Sequence, residues 1–96
     1  MKIKLSPVRL DETLAVFVAA DVITANGQAY DFSQLPEGAT LPAEAIESDH
    51  FVGTVERING ELILTLRLPH GPNPSQAVAF PQPITVTADG LVELPT

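Results

Sequence analysis

Two Asn-Gly pairs, Asn26-Gly27 and Asn59-Gly60, stand 33 residues apart, each set between apolar stretches of strand length. A two-residue type I′ turn needs positive φ at both central positions, which Asn and Gly adopt most readily, so each pair predicts a β-hairpin. The likeness runs past the turns. Val22 to Gly38 laid beneath Val55 to Gly71 shares Val, Asn, Gly, Leu, Pro and Gly at the same places. Duplication of one unit and independent use of the same turn chemistry both account for this pattern, whose matches concentrate in turn residues. Either way the feature specifies a hairpin scaffold and carries no reactive group.

The turns set the register of what flanks them. In the first hairpin Ala25 is expected opposite Gln28, Ile23 opposite Tyr30 and Asp21 opposite Phe32, so that Ile23, Tyr30 and Phe32 point inward together. In the second, Val55 is expected opposite Leu64, Gly53 opposite Leu66 and Phe51 opposite Leu68, which makes one face apolar. Its other face pairs Glu56 with Ile63, Thr54 with Thr65 and Val52 with Arg67. A slip of one residue would exchange the two faces, so burial pins the register.

Elsewhere the pattern is shorter. Met1 to Val8 alternates Ile3 and Leu5 against Lys2 and Lys4 as a strand does, with Pro7 favouring an edge or a strand end. Leu14 to Ala20 is an unbroken apolar run that reads as a central strand. Ser33 to Ser48 reads as loop with a short helix, Pro42 in its first turn and Thr40 as its cap. Pro69 to Pro74 cannot be a central strand. Ala77 to Phe80 is expected as a short edge strand, and Asp89-Gly90 as the turn of a third, smaller hairpin. The sum is a single domain over residues 1–96: mainly β, an antiparallel hairpin-rich meander of seven to nine strands. It is expected to form a small sandwich or partly open barrel with one short helix near residues 42–47.

Charge narrows the partners. Twelve acidic and five basic residues leave a net charge of −7. Affinity for nucleic acid rests on Lys and Arg displacing counterions, so nucleic acid is disfavoured, and an anionic membrane surface with it. The run Leu14 to Ala20 falls well short of the about twenty residues of a spanning helix, and the chain reads as soluble. The absence of cysteine excludes disulfides, thiolate catalysis and sulfur-ligated metal. Arg9, Asp11 and Glu12 interrupt the place where a signal peptide needs an apolar stretch, so cytoplasmic synthesis without export is expected. Lys2, Lys4 and Arg9 precede every acid, whereas Leu10 to Glu56 holds nine acids and no Lys or Arg. That asymmetry suits a solvated surface or head-to-tail attraction between copies.

No reactive constellation emerges. The two histidines, His50 and His70, lack ligand spacing with each other or with Glu47 and Asp49. Carboxylates neighbour one another at Asp11-Glu12, Glu44 with Glu47 and Glu47 with Asp49, but adjacent strand residues point to opposite faces and cannot frame a cleft as paired acid and base must. Ser48-Asp49-His50 contains the three residue types of a hydrolytic triad, yet successive side chains diverge. No catalytic, cofactor-binding or metal-ligating residue is assigned, and no cofactor is expected.

The sequence as a whole resembles a group of small uncharacterised proteins encoded in the tail regions of bacteriophages and prophages of Gram-negative bacteria. The carriers are Met1-Lys2-Ile3-Lys4-Leu5-Ser6-Pro7, the stretch Leu35-Pro36-Glu37-Gly38-Ala39-Thr40-Leu41-Pro42-Ala43-Glu44-Ala45-Ile46, Phe51-Val52-Gly53 with Val55-Glu56-Arg57-Ile58, and Leu68-Pro69-His70-Gly71-Pro72-Asn73. The resemblance implies a non-enzymatic minor tail or tail-assembly component whose partners are phage tail proteins or further copies of itself. It would be found in the host cytoplasm or with the virion. An acidic, inhibitor-like binding module directed at a host protein is the alternative.

Overall fold

The computed structural model describes residues 1–95, arranged as two β-sheets packed into a small sandwich-like fold. Its strands are β1 (Lys2–Arg9), β2 (Val16–Ala19), β3 (Val22–Ala25), β4 (Gln28–Asp31), β5 (Thr40–Pro42), β6 (Thr54–Ile58), β7 (Glu61–His70), β8 (Ile84–Thr85) and β9 (Gly90–Leu91). One sheet has the order β5-β6-β7-β1-β8 and the other β4-β3-β2-β9. Their inner faces meet over Ile3, Val16, Val18, Ile23, Val55, Leu62, Leu64 and Leu66, all buried.

Both Asn-Gly turns form as their chemistry requires, with φ of 50° and 83° at Asn26 and Gly27 and 53° and 77° at Asn59 and Gly60. The first hairpin has the expected register, Ala25 opposite Gln28 and Ile23 opposite Tyr30, and the Phe32 N–H donates to the Asp21 carbonyl at 3.0 Å. Asn26 also acts beyond its turn: its amide accepts from the Ala15 N–H and donates to the Thr13 carbonyl, tying the approach to β2 onto the hairpin.

The second hairpin follows expectation near its turn, with Glu56 opposite Ile63, and departs from it farther out. Phe51 bridges Leu66 rather than Leu68. The Val52 N–H still donates to the Thr65 carbonyl at 3.0 Å, so the two extra residues fall between Val52 and Glu56, a bulge that includes Gly53 at φ 73°, where the other edge of β6 pairs with β5. Because the offset is two residues, Phe51 stays on the inward face, where its ring meets Tyr30 and Phe32 edge-on at 4.9 and 5.7 Å.

Four further details differ from the sequence expectation. β1 runs parallel to β7, from Lys2 beside Ile63 to Arg9 beside His70, with the other sheet's hairpin carried inside the connection. The expected helix at 42–47 is a single 3₁₀ turn, Ala43–Ala45; Pro42 is its first flanking residue and makes no side-chain cap, while Thr40 belongs to β5. Ala77 to Phe80, expected as an edge strand, falls on a one-turn helix, α1 (Gln76–Ala79), and its C-terminal cap, because the Ser75 hydroxyl accepts from the Val78 N–H and Val78 turns inward. Asp89-Gly90 closes no hairpin, since β8 and β9 lie in different sheets and the chain crosses between them there. The Val86 N–H holds the Met1 carbonyl on one side of the crossover and the Val92 N–H the Val16 carbonyl on the other, both at 2.8 Å.

At the opposite side one cation joins the sheets. Arg57 stands opposite Leu62 on the inward side of β6. Its guanidinium donates to the carbonyls of Leu35 (2.6 Å) and Phe32 (3.0 Å) and to Asp21 Oδ2 (3.1 Å), where the β2–β3 turn begins. Glu37, from the same loop, accepts from the N–H groups of Asn59 and Gly60.

Replacing Arg57 with Met should lower stability by about 2 to 3 kcal/mol, because two carbonyls and a carboxylate lose charged donors together. Asp21→Asn should cost no more than about 1 kcal/mol, since that carboxylate is 42% exposed and water screens it. Urea midpoints of the two variants would order them, and equal losses would contradict this assignment. The same assay should separate two backbone positions of opposite sign. Gly53→Ala should cost about 1 kcal/mol by strain alone, there being open space for a Cβ. Ala20→Gly should gain about 0.5 kcal/mol by relieving a φ of 52°.

Candidate functional site

The triad residue types at 48–50 come together around a structural bond. Ser48 Oγ accepts from the Tyr30 hydroxyl at 2.8 Å and from the His50 backbone N–H at 3.1 Å. Nucleophilic catalysis would need the imidazole on the serine and a carboxylate on the imidazole. Among the described residues neither bond is present; Ser48 instead anchors its loop to the β4 tyrosine whose ring packs on Phe51. His70 Nδ1 lies 2.8 Å from the Gly71 carbonyl. Among the described residues no group of three or more His, Asp or Glu is placed to hold a metal ion. Asp11 is drawn to Arg9 at 2.8 Å, away from Glu12.

What the structure does assemble is a groove along β4. β4 is the last strand of one sheet and β5 the last of the other, and the gap between these edges is open. Its main part, about 580 Å³, lies between Gln28–Phe32 and the residues Leu41, Ala45, Ile46 and Glu47. A second part, about 410 Å³, continues past Tyr30 to Glu12, Ser48, Asp49, His50 and Arg67. A third, about 230 Å³, continues past Phe32 to Leu35 and Pro36. Asp31 sits on the edge itself; bonds from the Ser33 N–H and hydroxyl hold its pKa below the usual carboxylate value, so it is ionised at neutral pH.

A different surface lies on the back of the same sheet. Val16, Val18, Ile23 and Ala25 face the core, so the alternation of β2 and β3 sends Phe17, Ala19, Val22 and Thr24 outward, and pairing adds Ala29 from β4 and Leu91 from β9. Phe17 and Leu91 are direct cross-strand partners and are 48% and 72% exposed. An antiparallel sheet with one wet face normally alternates to polar residues there. The five-stranded sheet does so, with Lys2, Lys4, Thr54 and Glu56 on its back, whereas the four-stranded sheet shows charge only at Asp31.

Sequence reasoning did not single out Phe17 or Leu91. The apolar run Leu14 to Ala20 was the available signal: it reads as a central strand, which β2 is, between β3 and β9, and in a two-layer fold a central strand is covered on one face only. No protein-family model matches the chain, and comparison with curated proteins and with solved structures returned no match.

If Ser48 anchors its loop through Tyr30, Tyr30→Phe and Ser48→Ala should each cost about 1 kcal/mol, and the double variant little more than either. A thermal or urea double-mutant cycle would check this; fully additive losses would show that the two side chains do not act as one unit.

Proposed function

We propose that this chain is a non-enzymatic protein-contact component, of the tail or tail-assembly kind that the sequence resemblance implies, acting through the back of its four-stranded sheet. The observation that carries the reading is the uncovered face of Phe17, Leu91, Val22, Ala19 and Ala29. Exposed apolar side chains scattered singly need no explanation, but a cross-strand pair backed by small apolar neighbours forms a surface that a partner can desolvate. Two such rings and chains fully covered would contribute about 1.5 to 3 kcal/mol each.

The acidic residues along the β4 groove favour a second reading, the host-directed binding module. Salt separates the two, since apolar contact persists at high ionic strength while charge-steered binding weakens.

Particles and assembly intermediates induced from the source strain should contain the chain at a fixed ratio to the major tail protein by quantitative mass spectrometry. The double variant Phe17→Asp with Leu91→Asp, its fold verified by circular dichroism, should be depleted at least about tenfold, because two charges would be buried without partners. Absence of the chain from both fractions, or an unchanged ratio for the double variant, would overturn the reading.

A further inference from the structure

We infer that the free edge of β4 is a docking site for one extended segment of a partner protein, rich in alternating basic and apolar residues, which adds to the four-stranded sheet as a fifth strand. This inference stands on the sheet edge and is independent of the outer-face reading above.

The outer main-chain groups of β4 are free to pair. A two-residue hairpin makes Ala25 and Gln28 a hydrogen-bonded pair, so Ile23 and Tyr30 are the next such pair, and the Phe32 bond to Asp21 confirms the phase. The N–H and C=O groups of Ala29 and Asp31 therefore point away from β3. Among the described residues no turn, loop or side-chain hydrogen bond involves these four groups. They present the spacing that an added strand pairs with.

The other sheet edges differ from β4. β5 contains Pro42, and Pro83 directly precedes β8. β8 covers β1 only at Lys2 and Ile3, and Pro7 lies in the part of β1 left without that neighbour. β9 offers two residues. β4 alone combines four residues with no proline, lysine or bulge, the devices by which exposed edges are ordinarily blunted.

Charge identifies the occupant. Asp31 and Glu47 border the main groove and Glu12 and Asp49 its continuation, with Arg67 the single cation among them. None of these four carboxylates is in an ion pair among the described residues. Ala29, Tyr30, Phe32, Leu41 and Ile46 provide apolar surface between them. A strand inserted here would turn one set of alternate side chains toward Tyr30, Leu41 and Ile46 and the other toward the outer face beside Asp31, while Glu47, Glu12 and Asp49 around the groove add to the field that favours basic residues. A second copy of this chain would bring its own Asp31 and groove acids against their like, which disfavours β4-to-β4 pairing.

The probe is an acetylated, amidated heptapeptide of alternating lysine and valine, titrated into the full chain labelled with ¹⁵N. The amides of Ala29 and Asp31 should shift on saturation, and affinity should fall at least about tenfold for Ala29→Pro, which removes an outward N–H without touching a hairpin bond. A peptide methylated on the nitrogens of one edge should likewise fail against the unaltered protein, so the result survives should Ala29→Pro not fold. The glutamate–valine counterpart should not bind, while Phe17→Asp should leave binding unchanged. Shifts that bypass β4, equal binding by Ala29→Pro and wild type, equal binding of the glutamate peptide, or a dimer of the chain alone that protects the β4 amides would each overturn the inference.

Discussion

The Arg57 guanidinium is the contact on which the geometry of the open side depends. It is a charged side chain on the inward side of β6, only 13% exposed, and it is held there by groups that belong to other elements. A lysine in its place has one nitrogen, whereas the planar fork of arginine reaches two carbonyls and a carboxylate at once. The carbonyls fix the loop that leaves β4, and Asp21 fixes the turn that starts β3. The Gly38 N–H then meets the Arg57 carbonyl at 2.8 Å, so the same residue aligns the entry to β5 through its backbone. The spacing of β4 and β5 at this end of the groove follows from one side chain and its main chain.

The sandwich is closed unequally. On one side the crossover through Val86 and Val92 is stitched to both sheets by backbone hydrogen bonds. On the other, hydrogen bonds among the described residues tie the β4 side to the β5 side at the two ends, through Arg57 at one and the Tyr30 to Ser48 bond at the other. Between these posts lies the apolar surface that includes the Tyr30 ring. The described residues form two sheets and no helix long enough to lie across either one. With apolar residues on both faces of β2, the back of the four-stranded sheet is left apolar and exposed.

Local chemistry was legible in the residues, and nonlocal pairing was not. The first hairpin could be written residue by residue because Asn26-Gly27 sets both the turn and the phase. The second followed its turn through Glu56; beyond it a bulge that includes Gly53, at positive φ, shifts the register by two residues while the strand stays between β5 and β7. The β1–β7 pairing carried no signal, since a parallel ladder is joined by a long connection rather than by a turn. Ser75 was a visible cap signal for α1, masked by the prolines around it. The Asp89-Gly90 dipeptide misled because glycine at φ 140° there serves a crossover. As to sites, Ser48 and Tyr30 meet across 18 residues of sequence, and the acids of the β4 groove come from three separate segments. The bond between Leu35-Pro36-Glu37-Gly38 and the second Asn-Gly turn was equally hidden: one copy of the repeated tetrad braces the turn of the other hairpin, while Leu68-Pro69-His70 continues β7.

That divergence bears on what the edge of β4 is for. In the second hairpin the strand after the turn runs ten residues and is paired on both sides; in the first it stops after four, where Asp31 accepts from Ser33 and the chain bends away. Ending β4 early frees Leu35 and Glu37 to brace Arg57 and the second turn, which stabilises the sandwich, and it also leaves an edge without a neighbour. The chain has nine prolines, and prolines lie within or beside the exposed edges of the five-stranded sheet. An unguarded edge normally invites pairing with any passing strand. The groove acids limit that promiscuity without closing the edge: they repel acidic strands, including those of its own kind, and admit a basic one. Selection by charge in place of blockage by proline is the physical difference between the β4 edge and the others.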